Sequence, residues 1–127
     1  MTALLLVVAG GGIGAGLRHL VNMAALRLLG PSFPWGTVAV NLLGGILMGL
    51  LVGTLARHEP AGGANHIRLF LATGVLGGFT TFSAFSLDAV VLWERGAELA
   101  AAGYVLGSVA GAIAALMAGL ALARLFG

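Results

Sequence analysis

The side chains of this 127-residue chain that could do chemistry are hydroxyls, amides and phenyl rings, and most lie inside apolar segments. The densest group is Gly74-Val-Leu-Gly-Gly-Phe-Thr-Thr-Phe-Ser-Ala-Phe-Ser86, where three glycines stand beside four hydroxyls and three phenylalanines. A helix built only to span lipid gains nothing from that mixture. Gly74, Gly77 and Gly78 weaken a helix locally, and an unwound stretch frees carbonyls that can coordinate a cation such as sodium. Such backbone is tolerated in a membrane only where it is buried in protein or lines a cavity. Phe82 and Phe85 lie three apart, on one helix face. The edge of a phenyl ring is positive, so an anion can approach it there. A pair at this spacing is ordinarily core packing; the neighbouring glycines and hydroxyls argue for a second role.

Two further spans carry polar pairs at helical spacing. Thr37 and Asn41 are four apart, as are Tyr104 and Ser108. With Thr80, Thr81, Ser83 and Ser86 they form a set rich in donors and free of negative charge. A single Ser or Thr in a membrane helix usually bonds back to its own backbone. Asn41 differs, because an amide left dry in hydrocarbon is costly. Arg18 lies within the first span, where it either steers anions to a mouth or snorkels to the interface.

The elements that must position these groups are membrane spans. The chain is 60% hydrophobic and 8% charged, with a mean hydropathy of +1.10, more apolar surface than a soluble domain of this length can hide. Four apolar segments, at about 3–29, 37–56, 67–93 and 99–126, each reach the roughly 20 residues that cross a bilayer. The sequence therefore predicts an all-α membrane protein in one domain, 1–127, with the third helix broken in its middle. The apolar start, Leu4 to Ala9, reads as part of a mature span because no basic region precedes it. Gly30 to Gly36, with two prolines, is a breaker. Arg57 to His66 is the one polar loop, and Trp35 and Trp93 sit at span ends, where interfacial tryptophans belong.

The six arginines are scattered, which argues against nucleic acid. One side of the membrane would hold Arg57, Arg68 and Arg124, the other Arg27 and Arg95, with Arg18 deeper. That balance barely selects a direction, so the chain either inserts both ways and pairs antiparallel or takes a topology set by one loop. Gly103, Gly107, Gly111, Ala115, Gly119 and Ala123 recur at every fourth position of the last span. Gly10 and Gly14, and Gly45, Gly49 and Gly53, repeat the spacing, which lets backbones approach closely.

At GVLGGFTTFSAFS the chain resembles the Fluc-type fluoride channels, also called CrcB proteins. Pro34 to Gly45, PWGTVAVNLLGG, resembles that family's second-helix motif, and Arg18 within GGGIGAGLRH its first. The likeness runs through nearly the whole chain in order. It implies an antiparallel, dual-topology homodimer of four-helix subunits in the cell membrane, with two fluoride pores at the interface. It implies pore phenylalanines at Phe82 and Phe85, a pore asparagine at Asn41, and a polar track through Thr37, Tyr104 and Ser108. Thr81 and Ser83 are further pore hydroxyls in this reading, and Arg18 stands near an aqueous entrance. A central structural sodium would be held by the carbonyls of Gly77 and Thr80. The chain departs from the expected pattern at Ala112, where a further hydroxyl is expected, and at Asp88, where a glutamate is.

Other classes fit less well. A small multidrug-resistance-type exporter needs a titratable carboxylate in its first span, and none is present there. A purely structural subunit would account for the glycines but not for donors on separate spans. No nucleophile–base pair suggests an enzyme, and His19, His58 and His66 have no metal-ligand spacing.

Overall fold

The computed structural model describes residues 1–57 and 63–126, and all its regular structure there is helical. Residues 58–62, in the polar loop between the second and third spans, lie outside the described residues. Four helical runs are long and apolar enough to cross a membrane: Thr2–Leu29, Trp35–Arg57, Asn65–Glu94 and Glu98–Phe126. Their ends fall within two residues of the boundaries read from the sequence.

The first span is helix α1 (Thr2–Leu29), which stops at Gly30. Gly30 has φ +81, a conformation that side chains disfavour, and its amide closes the last turn on Leu26 at 3.0 Å. Helix α2 (Trp35–Arg57) begins directly after Pro34, which cannot donate to a preceding turn. The third span is assembled from pieces: α3 (Gly63–Ile67), a π-helix over Arg68–Leu76, α4 (Gly77–Phe79) and α5 (Ser83–Glu94). Between α4 and α5, Thr80 is extended with ψ 160. The span nevertheless keeps its course and bends by 15°. Gly96, at φ +87, makes the tight turn into α6 (Glu98–Phe126).

Two glycine seams hold the bundle. The first span lies on the third through Gly10 and Gly14. A Cβ on Gly10 would come within 2.9 Å of the Gly74 Cα, and one on Gly14 within 2.7 Å of the Phe79 amide nitrogen. The second span lies on the fourth in the same way, with Gly45, Gly49 and Gly119 at the contact. Without a hydrophobic drive between helices in lipid, this close backbone packing supplies the attraction. Outside the seams, large apolar side chains such as Leu4, Val8, Leu20 and Leu125 are exposed, as lipid-facing residues would be. Near the start of the fourth span, Phe85, Leu92, Ala101 and Tyr104 form a small buried cluster.

Candidate functional site

The interruption at Thr80–Phe82 organises the polar residues. In a continuous α-helix the Gly77 carbonyl would accept from the Thr81 amide, and the Thr80 carbonyl from the Ala84 amide. Here the Thr81 amide donates to Asn41 Oδ1 at 3.0 Å, and the Ala84 amide to Thr81 Oγ1 at 3.2 Å. Both carbonyls thus lose their helical donors to side-chain acceptors. These are the two carbonyls that the family resemblance assigns to sodium, and oxygen ligands freed in this way suit a hard cation.

Asn41 returns the contact, its Nδ2 donating to the Thr81 carbonyl at 3.2 Å. This two-point clasp ties the second span to the third and leaves one Nδ2 hydrogen unspent. The remaining hydroxyls of the third span divide. Thr80 and Ser86 donate back to Leu76 and Phe82, each at 2.9 Å, the usual habit of hydroxyls in membrane helices.

A groove of about 500 Å³ opens beside the clasp. Asn41, Thr81, Phe82, Phe85 and Ser108 line it, and below Ser108 its wall is apolar, with Ala112, Ile113 and Leu116. The Phe82 and Phe85 rings lie 5.8 Å apart and tilted by 47°. Phe85 is buried against Tyr104, whereas Phe82 is 77% exposed on this chain. Ser108 Oγ is buried and has no hydrogen-bond partner among the described residues. An unsatisfied hydroxyl in such a place costs stability and is uncommon in folded proteins.

Thr37 and Tyr104, which the resemblance implies along a polar track, both meet Asp88. Both hydroxyls donate to Asp88 Oδ2, at 2.8 Å and 3.1 Å. Each has given up its one proton there, so neither offers a donor to an anion in this arrangement. Asp88 lies inside α5, in the third span, where an ionisable residue is rare and usually paired. In the sequence Asp88 is a departure from the glutamate that the resemblance leads one to expect. Its position one turn beyond Ala84, in an apolar run, was the available signal.

Arg18 and Ser83 meet in a second cavity of about 500 Å³, together with His19, Asn22 and Thr81. Thr81 also lines the groove, so the two spaces share a wall residue. A third cavity, about 210 Å³, contains Asn22, Phe33, Trp35, Thr37 and Asp88. The structure therefore brings Asn41, Thr81, Phe82, Phe85 and Ser108 together, sets Arg18 and Ser83 behind Thr81, and ties Thr37 and Tyr104 to Asp88. Among the described residues no group of three acidic, histidine or cysteine side chains could hold a metal ion.

Residues 5–120 match the family described as CrcB-like protein, Camphor Resistance (CrcB). A protein of Mesorhizobium japonicum named Fluoride-specific ion channel FluC is 65% identical over 124 residues, 98% of each chain. Proteins with the same name from a Chelativorans species and from Agrobacterium fabrum are 64% and 56% identical, again over 98% of each chain. With four helices long and apolar enough to cross a membrane, the chain belongs to the CrcB family of multi-pass membrane proteins.

Proposed function

We propose that this chain forms a fluoride-selective passive channel that lets cytoplasmic fluoride leave the cell. The observation that carries the reading is Ser108, a buried hydroxyl without a partner, on a groove lined also by Asn41, Phe82 and Phe85. Fluoride is small and tightly hydrated. A path that strips its water must return donors at close range without trapping the ion. Asn41 has a hydrogen to give, Ser108 has its whole hydroxyl, and the phenyl edges add weak positive contacts. Fluoride enters from acid surroundings as neutral hydrogen fluoride and is held inside as the ion, so a passive route suffices to release it. The names of the relatives point the same way.

The exposed Phe82 and the one-sided groove suit a second chain completing the pore. The balanced arginines suit an antiparallel partner, and two such chains would enclose two pores. The Gly77 and Thr80 carbonyls of each chain would hold a sodium between them. That ion would supply a fixed positive charge joining the subunits. Beyond Ser108, Thr37 and Tyr104 become donors to fluoride only when Asp88 releases them, so the track has a closed arrangement and needs a second one to conduct.

A small multidrug-resistance-type exporter is less well supported, because the first span carries no carboxylate and Asp88 is already bonded to two hydroxyls. The deciding experiment is efflux from liposomes, read with ion-selective electrodes. Fluoride should leave while chloride stays, and Asn41→Asp should stop the fluoride. Equal efflux of both ions, or full flux through the Asp variant, would refute the channel reading.

A further inference from the structure

The second and third cavities share two residues, Asn22 of the first span and Ala84 of the third. One holds Arg18 and Ser83, the other Thr37 and Asp88. Asn22 therefore stands where a passage from one to the other would run. Its side chain makes no hydrogen bond with the described residues, although it is half-buried in an apolar helix, seven residues before that helix ends at Leu29. A primary amide in that setting is costly unless water or an ion satisfies it. Its place is also built rather than incidental. A Cβ on Gly36 would collide with Asn22 Oδ1 and would stand 3.0 Å from the Asn22 Cα, so the absence of a side chain at residue 36 makes the room. Gly36 is in the first turn of α2, where backbone amides have no intrahelical acceptor. The oxygen end of Asn22 lies against that turn, and no acceptor among the described residues takes its amide hydrogens. Asp88 borders the third cavity and repels an anion there. A small anion held in that space therefore needs a donor on another helix, and Asn22 has one to give.

We infer that Asn22 is an anion-contacting residue that links the Arg18 cavity to the Thr37–Asp88 cavity. It forms a hydrated approach along the first span, on the side of α5 away from Ser108. The inference rests on the fluoride-channel reading for its cargo, but not for its geometry, and two measurements separate them. The first is fluoride efflux from liposomes. Asn22→Leu, of similar size but without donors, should slow efflux roughly tenfold, as losing one hydrogen bond to a charged species does. Asn22→Gln should keep most of the flux. Efflux through the Leu variant within about twofold of wild type, or an equal fall in the Gln variant, would overturn the role of the amide.

The second measurement needs no flux. The chain contains no cysteine, so N22C carries a single thiol. The water-soluble anionic reagent sulfonatoethyl methanethiosulfonate should modify it, and faster than the cationic trimethylammonium analogue does, because Arg18 lines the same cavity. A thiol unreactive to both reagents, or one preferring the cation, would overturn the inference even if the protein conducts fluoride. Reaction with the anionic reagent in a protein that passes no fluoride would support the anion approach and sink the channel reading alone.

Discussion

The two halves of the fourth span carry the same small-residue spacing and meet different surroundings. In the later half, Gly119 lies against the second span so closely that an added Cβ would stand 2.9 Å from the Leu50 amide nitrogen. In the earlier half, Gly103 and Gly107 have nothing within 4 Å of a built Cβ and are exposed, while Tyr104 and Ser108 turn the neighbouring face inward. One half is a seam within the subunit. The other is a bare strip beside the polar track. Identical spacing thus serves two ends: it closes the bundle where glycine meets glycine, and it leaves a surface open where no helix of this chain covers it.

The largest effect should come from filling the seam. Gly49→Val places its side chain against the backbone of Leu116, Gly119 and Leu120, none of which can yield as a flexible side chain would. Overpacking of this kind costs about 3 kcal/mol or more when backbone must move. Thermal unfolding in detergent should show a clear loss, and a wild-type melting curve would mean the seam is looser than its geometry.

A smaller and opposite effect is expected beside the bare strip. Ser108→Ala removes a buried oxygen that has no partner, so stability should hold or rise by about 1 kcal/mol. Fluoride efflux should nonetheless fall. A residue whose removal helps the fold and harms the flux is there for a ligand. A drop in melting temperature, or unchanged flux, would place Ser108 in packing instead.

The smallest effect on the fold should come from Gly107→Ala, which meets no neighbour in this chain and gains at most about 1 kcal/mol of helix propensity. If a second copy covers this strip, as the proposed dimer requires, the methyl should weaken association while the unfolding of each subunit is unchanged. Cross-linking across a dilution series measures this. An undiminished dimer would assign the strip to lipid and erase the contrast between the two halves.

Much of the fold was legible because crossing a bilayer is a one-dimensional constraint. Length and apolarity place Trp35–Arg57 or Glu98–Phe126 without knowing any neighbour. Asn41 was legible for a related reason, since an amide in hydrocarbon demands partners whatever the fold. Its partner was not, because the Thr81 backbone comes to it from 40 residues away. The resemblance implies Thr37 and Tyr104 along a polar track, but that both donate to Asp88 is set only by the packed helices. Asn22 carries the same signal as Asn41, an amide within an apolar span; what only the packed bundle supplies is the room that Gly36 leaves for it.

The amino-acid sequence alone determined that this chain lives in a membrane as four helices, and that its third span carries glycines and hydroxyls an ordinary span lacks. Those properties follow from apolar length and local backbone preference, which act along the chain. Tertiary structure decided which donors are spent and which are free: Thr81's amide on Asn41, two hydroxyls on Asp88, none for Ser108. A hydrogen bond between distant residues depends on distance and direction in space, and only the packed bundle sets those.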